Sequence, residues 1–240
     1  MIPLGILAQQ AHHVSSSLLT NLVSWWSLDE VSGTRIDAHG SNDLTDNNTV
    51  TQATGKVGDA GQFTRTNSEW LSKTAPHGLE GNNRDISVAF WIYLDSIGTS
   101  HQIPIAVGGS SGTASTLDYI FQIQTDSFMY FYIGQGGTFK AIKATTFGTL
   151  SINTWYFVIG TYDEAANIGS ISINDGTVDQ TTGITTINNT GNDFYIGRWA
   201  HSGGRYVNGR VDEVAFWNKI IDATEITALY NSGSGITYPG

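Results

Sequence analysis

The chain has 240 residues, no cysteine and a net charge of −10, with 11 basic residues against 21 acidic ones. That length suits one all-β domain whose core stands without covalent cross-links, and the missing cysteine excludes a disulfide framework and thiol chemistry. The acidic balance, with its few Lys and Arg scattered, excludes nucleic acid as the main partner, because neutralising a phosphate backbone needs clustered bases. Charged residues make up only 13% of the chain; Gly, Thr, Ser and Asn supply the remaining polarity, a pattern of many short strands joined by polar turns.

The sequence opens on an apolar stretch over residues 1–8, in which Ile2, Leu4, Ile6 and Leu7 fall within six positions. Pro3 and Gly5 interrupt them, so an extended peptide is expected rather than a helix. The stretch is too short to cross a bilayer, and no Lys or Arg precedes Arg35. Neither membrane insertion nor an export signal is therefore expected. Such a peptide binds well by adding to a sheet edge or by filling apolar pockets on another subunit. Residues 1–19 read as an anchoring extension, and His12 and His13 within it read as solvent-exposed.

Strand patterns then follow one another. Residues 22–28 form a first strand with Trp25 and Trp26 on opposite faces. In Ile86–Leu94 the residues Ile86, Val88, Phe90, Ile92 and Leu94 share one face, and Ala89, Trp91 and Tyr93 the other. Both faces are apolar, which marks a central strand with Phe90 and Trp91 buried, and Trp155 is expected to be buried with them. Residues 119–124 and 128–133 read as a hairpin around Thr125, Asp126 and Ser127. Tyr130 and Tyr132 lie on one face of its second strand; they could form a platform there, but burial inside the sandwich is the expectation. Strands follow at 155–162, 168–173, 193–197 and 210–217, with a tight turn at Asn174, Asp175 and Gly176. One helix closes the pattern. Asp222 is its N-cap with Glu225 three residues on, Ile221 and Ile226 form a hydrophobic staple, Leu229 and Tyr230 extend the apolar face, and Gly233 ends it. Residues 234–240 are a tail.

Several landmarks, in this order and spacing, carry a family resemblance. They are Trp25, Trp26, Asp29 and Glu30 with Ser32, Gly33, Thr34 and Asp37; Gly55 and Gly58 with Ala60 and Phe63; Phe90 and Trp91; Thr154, Trp155 and Phe157; and Gly209 to Asn218 with the Thr224–Glu225–Ile226 helix. Together they resemble the laminin-G-like domains of the concanavalin-A-like lectin and glucanase architecture. The resemblance implies an all-β, two-sheet antiparallel jelly-roll sandwich over residues 20–233 with one short C-terminal helix and with the first and last strands near each other. Such a fold hosts many unrelated functions. Calcium often bridges the chain ends in related sandwiches, which makes Asp212, with Asp29 or Asp37, the candidate ligands. The residues themselves also allow Asp37 and Asn42 to cap turns and Asp212 to pair with backbone. No cofactor is required.

Glycoside hydrolysis needs two carboxyl groups about 5–10 Å apart. In the glucanase branch they sit on one strand at alternate positions, and no such spacing occurs here. Asp212 and Glu213 are adjacent, as are Asp29 and Glu30, and adjacent strand residues point to opposite faces. Nucleophile-elbow, zinc-helix and phosphate-loop motifs are also missing, so a non-catalytic protein is expected. Sugar binding instead needs aromatic faces and polar groups on a mobile loop over a rigid scaffold. The Gly-hinged segment 198–206 supplies Trp199, His201, Arg205 and Tyr206. Its alternative is that Trp199 and Tyr206 fold back onto the sheet.

The stretch at residues 1–8 directly before such a domain resembles the start of short bacteriophage virion proteins. The leading expectation is a virion surface protein, a decoration or adhesin assembled in the host cytoplasm. Its extension would dock on capsid or tail proteins or on copies of itself, and its sandwich would meet cell-surface glycans. A free extracellular carbohydrate-binding module or lectin is the alternative, and a glycoside-cleaving enzyme the third reading.

Overall fold

The computed structural model describes residues 16–109, 111–201, 203 and 205–240. Ile2, Leu4, Ile6 and Leu7, the expected assembly contacts, lie outside the described residues, as do His12 and His13.

Two antiparallel sheets pack face to face as a jelly-roll sandwich. One has the order β13-β12-β11-β6-β15-β4-β3, with β1 also paired to β15. Its strands are β1 Leu22–Trp26, β3 Thr51–Thr54, β4 Asp59–Phe63, β6 Ile86–Leu94, β11 Trp155–Asp163, β12 Ile168–Ile173, β13 Asp179–Thr182 and β15 Gly209–Trp217. The other runs β10-β9-β8-β7-β14-β5-β2. Its strands are β2 Thr45–Asn47, β5 Trp70–Lys73, β7 Ile105–Gly108, β8 Leu117–Ile123, β9 Met129–Gln135, β10 Thr138–Lys143 and β14 Phe194–Ile196.

Alternation explains which residues meet in the middle. From β6 the residues Ile86, Val88, Phe90, Ile92 and Leu94 enter the main core; from β8 and β9 come Tyr119, Phe121, Ile123, Met129, Phe131 and Ile133. The rings of Phe90 and Phe121 meet edge-on across the sheets at 5.1 Å. Trp26 enters this core, whereas Trp25 points the other way. Phe90 and Trp91 are buried as the alternation predicts; Trp155 is only half-buried, because it begins β11 at the rim.

Part of the outer face of the eight-stranded sheet is itself covered. Trp25, Ala89, Trp91, Phe157, Ala215 and Trp217 pack under Leu18, Ile221, Leu229 and Tyr230 and under Ile236 and Tyr238 of the last residues. The covering helix, α1 (Ala223–Tyr230), has the expected capping box, with Asp222 accepting from the Glu225 backbone and Glu225 accepting from that of Asp222. Gly233 does not end it. Asn231 does, in the left-handed conformation at φ 47°, its N–H returning to the Thr227 carbonyl, a role an Asn side chain tolerates.

A second departure lies in β15. The pairing of β15 with β6 slips between Asp212 and Ala215, and Glu213 has a φ of 45°. This bulge inserts an extra residue, so the strand no longer alternates there. Asp212 pairs with Trp91, and Glu213 accepts the indole hydrogen of Trp25; both carboxyls thus face outward on the same side. Adjacency does not separate them as regular strand geometry predicts.

Candidate functional site

Packing covers the outer face of the eight-stranded sheet around β1, β6 and β15 and leaves a cavity of about 260 Å³ over β11 and β12, lined by Ile159, Thr161, Ser170 and Ile226; the residues expected to bind sugar lie on the outer face of the seven-stranded sheet. The floor of this candidate site comes from the residues of β7, β8 and β9 that alternate away from the core: Ala106, Ile120, Gln122, Tyr130 and Tyr132. Tyr130 and Tyr132 are not inside the sandwich. They are half-buried on this face with rings stacked at 5.6 Å and 16°. An aromatic pair on one face of a strand suits either side of a sheet, and here the core side is already filled by Met129, Phe131 and Ile133.

The segment between β14 and β15 folds over this floor. Trp199 is buried, packed against Ile103, Ala106, Leu117 and Ile120. It forms a wall and is no free stacking platform. His201 tilts against it at 5.3 Å and comes so close to Gly112 that a Cβ there would meet its ring at 1.6 Å. Arg205 reaches across to β8, where its Nη1 donates to Gln122 Oε1 at 3.0 Å. The Gln122 amide nitrogen contacts His101 Nδ1 at 3.5 Å, and the Gln124 amide donates to the Tyr132 hydroxyl. Tyr206 turns toward Trp70 of β5, their ring centroids 6.1 Å apart, with the Arg198 guanidinium 4.4 Å over Trp70.

These parts enclose two adjoining cavities. The first, of about 250 Å³, is lined by Ile120, Gln122, Gln124, Tyr132, Phe139 and Trp199, together with His101 and Arg205. The second, of about 480 Å³, is lined by Arg65, Ser100, Thr125 and Tyr206 and shares His101 and Arg205 with the first. The shared wall makes one groove. Phe139 stands at its rim, 49% exposed, edge-on to Tyr132 at 5.9 Å.

Of the four residues expected to bind sugar, Trp199 and Arg205 line the first cavity, Tyr206 and Arg205 the second, and His201 backs Trp199. Sequence reasoning named Tyr132 as a possible platform but missed Gln122, Gln124, Phe139 and His101. The available signal was alternation: Gln122 and Gln124 flank core residue Ile123 on either side, so they had to face outward.

Polarity in the groove is on the donor side. Burial holds His101 below its ordinary pKa and the adjacent Arg205 lowers it further, against an opposite pull from Asp126. Arg65 Nη2, Ser100 Oγ, Trp199 Nε1 and His201 Nδ1 are buried without a hydrogen-bond partner among the described residues. No Asp or Glu lines either cavity.

The candidate calcium ligands are each held by backbone N–H groups, and Asp29 lies near enough to Asp212 to act on its carboxyl. Asp37 Oδ1 accepts from the backbone N–H of Trp25, His39 and Gly40, and its Oδ2 from that of Asn42. This is turn-capping chemistry. Asp212 Oδ2 accepts from the N–H of Lys56 and Val57, and Asp29 Oδ1 from that of Asp59. Among the described residues no group of three or more His, Asp or Glu side chains is placed to hold a metal ion.

Comparison with known proteins agrees with this architecture. No curated protein matches the sequence. Among solved structures the chain is similar to the binding domain of Paraclostridial Mosquitocidal Protein 1, with a TM-score of 0.70 and 16% identity over 90% of this chain and 53% of that one. It is similar to domain 4 of AbnA, an extracellular arabinanase from Geobacillus stearothermophilus solved with arabinotriose, with a TM-score of 0.65 and 15% identity over 90% of this chain and 98% of that one. It is also similar to a Trypanosoma rangeli sialidase, with a TM-score of 0.63 and 11% identity over 96% of this chain and only 40% of the sialidase. The chain thus spans about half or less of the toxin and sialidase structures, and identities this low speak for the fold alone. A laminin-G family model, described as the concanavalin A-like lectin/glucanases superfamily, matches residues 66–227. On that match and on its two-sheet topology, the chain belongs to the concanavalin A-like lectin/glucanase superfamily.

Proposed function

We propose that the chain is a non-catalytic glycan-binding domain displayed on the surface of a particle, as a virion decoration or adhesin assembled in the host cytoplasm. The observation that carries the binding is the groove on the seven-stranded sheet. Phe139 and Tyr132 offer aromatic surface to the C–H faces of a sugar ring, and Gln122, Gln124 and Arg205 offer hydrogen bonds to hydroxyls. A binding rather than a cleaving role is supported by the lining, which holds no carboxyl pair to flank a scissile bond. The arabinotriose complex of AbnA domain 4 shows that this fold accommodates an oligosaccharide in another protein.

Display is supported by the placement of the chain's first described residues. Leu18 and Leu19 pack on the outer face of the eight-stranded sheet, and the groove opens on the opposite face of the sandwich. An extension docked at one face leaves the other turned outward.

The test of binding is a glycan array followed by calorimetry on the retained sugars. Phe139→Ala and Tyr132→Ala are expected to weaken binding by roughly tenfold each, the scale of a lost aromatic contact. Retained glycans whose affinity ignores both substitutions, or an array with no retained glycan, would overturn the assignment.

A further inference from the structure

Charge is unevenly distributed over the molecule. Acidic residues outnumber basic ones by 21 to 11, yet Arg65, Arg198 and Arg205 gather at one end of the groove. None of the three forms an ion pair among the described residues, where the pairs are Arg35–Glu30, His77–Glu80, Lys143–Asp126 and Lys219–Glu225. Arg65 Nε donates to the Tyr206 carbonyl at 3.1 Å, and its Nη2 has no partner. Arg198 is held between rings, 4.4 Å over Trp70 and 5.6 Å over Tyr206. Arg205 lies 5.9 Å over Trp199 and, among the described residues, its side chain donates to the neutral amide of Gln122.

The nearby acids are otherwise engaged. Asp126 accepts from Lys143 Nζ at 2.9 Å and from the Tyr130 hydroxyl at 2.8 Å. Glu69 accepts from the Thr64 backbone and the Asn67 amide. The second cavity is therefore walled by two guanidiniums, a histidine, two hydroxyl side chains and a tyrosine, with no compensating carboxylate. Guanidinium groups fit planar or tetrahedral oxyanions through paired N–H donors, and such charge-assisted bonds are about twice as strong as neutral ones.

We infer that the groove takes an acidic saccharide, its carboxylate or sulfate group seated in the cavity that Arg65 and Arg205 share, with the neutral part of the sugar on Tyr132 and Phe139. The inference rests on the glycan-binding reading and adds the chemical class of the ligand.

The test uses the full chain and two pairs of probes matched in backbone: trigalacturonate with its methyl ester, and a sulfated galactan tetrasaccharide with its desulfated form. In at least one pair the charged member should bind roughly tenfold or more tightly than the neutral one, and the pair that shows it names the anion. Added salt should narrow the gap. Arg205→Gln and, on a separate element, Arg65→Gln should each shrink it, and Arg205→Lys should keep part of it, since charge remains without the fork. Melting curves establish that each variant is folded; the salt dependence of the unaltered protein stands without them. Equal binding within both pairs would sink the charge inference and leave the glycan reading standing. No binding of any probe, charged or neutral, would sink both.

Discussion

Glu213 accepts the indole hydrogen of Trp25 with one carboxyl oxygen, while the other oxygen is buried without a partner among the described residues. Asp212, its neighbour on the bulge, likewise has one buried oxygen unpartnered. Burial pushes the Asp212 carboxyl up to about 7, with Asp29 adding to the effect. Burial, and then Asp212, pushes the Glu213 carboxyl up to about 8. Both values lie above those of an unfolded chain, so between about pH 4 and pH 8 the folded protein retains protons that the unfolded chain releases. The contribution of the pair to stability is fully present below that window and declines as pH rises through it. The melting temperature of Glu213→Gln relative to the unaltered protein should therefore be higher at about pH 8.5 than at about pH 5.5. Scanning fluorimetry across that range checks it. A difference that stays constant with pH would show that the pair is not protonated in the fold.

A core prediction concerns Phe90. Its ring is fully buried between the sheets against Phe121. Phe90→Ala should cost about 3–5 kcal/mol by chemical denaturation, since neighbouring strands on both sides of β6 prevent the pocket from collapsing. A loss under about 1 kcal/mol would mean that the sheets close over the gap.

The helix cap is a smaller and separable effect. Asp222→Ala removes the oxygen that accepts the Glu225 N–H at 2.9 Å and should cost about 0.5–2 kcal/mol. Denaturation midpoints that coincide with those of the unaltered protein would place the start of the helix elsewhere.

The extension can be divided by where packing begins. Leu18 is buried, and its carbonyl accepts the Trp217 indole hydrogen at 2.7 Å. A chain lacking residues 1–19 should be less stable by about 2–5 kcal/mol than one lacking only residues 1–15, the scale of losing a buried leucine. If the extension anchors the domain, the shorter deletion should also abolish co-sedimentation with particles. A protein lacking residues 1–15 that still sediments with particles would remove the anchoring proposal and favour a free lectin.

How much was legible in the sequence depends on whether a feature is set locally. The opposite faces of Trp25 and Trp26, the core face of β6 and the capping box of Asp222 and Glu225 follow from spacing alone, and the structure has all three. The bulge at Glu213 does not follow from spacing, because it is fixed by how β15 meets β6 and β1, and nothing in the local sequence marks it. Short polar strands such as β3 and β13 carry no periodic signal either; partners hold them in place. In the groove, Trp199 and Arg205 were legible as a loop rich in aromatic and cationic groups. Tyr132 was legible only as one of two alternatives, a platform with Tyr130 or a buried residue, since a tyrosine beside Met129, Phe131 and Ile133 reads the same on either side of a sheet until the core is seen to be full.

The position of β15 bears on how the protein can be made. It is the last strand in the chain, yet it lies inside its sheet, paired with β6 on one side and with β4 and β1 on the other. Until residues 209–217 have left the ribosome, β1 has no strand partner and β4 has only β3. The sheet that carries Trp25, Trp26 and Phe63 must therefore wait for residues 209–217 before it closes. With pairings so distant in sequence, its folding is slow. A nascent chain arrested before residue 209 would expose the tryptophan-rich edge of β1 and β4, the stage at which chaperone capture or misassembly would act.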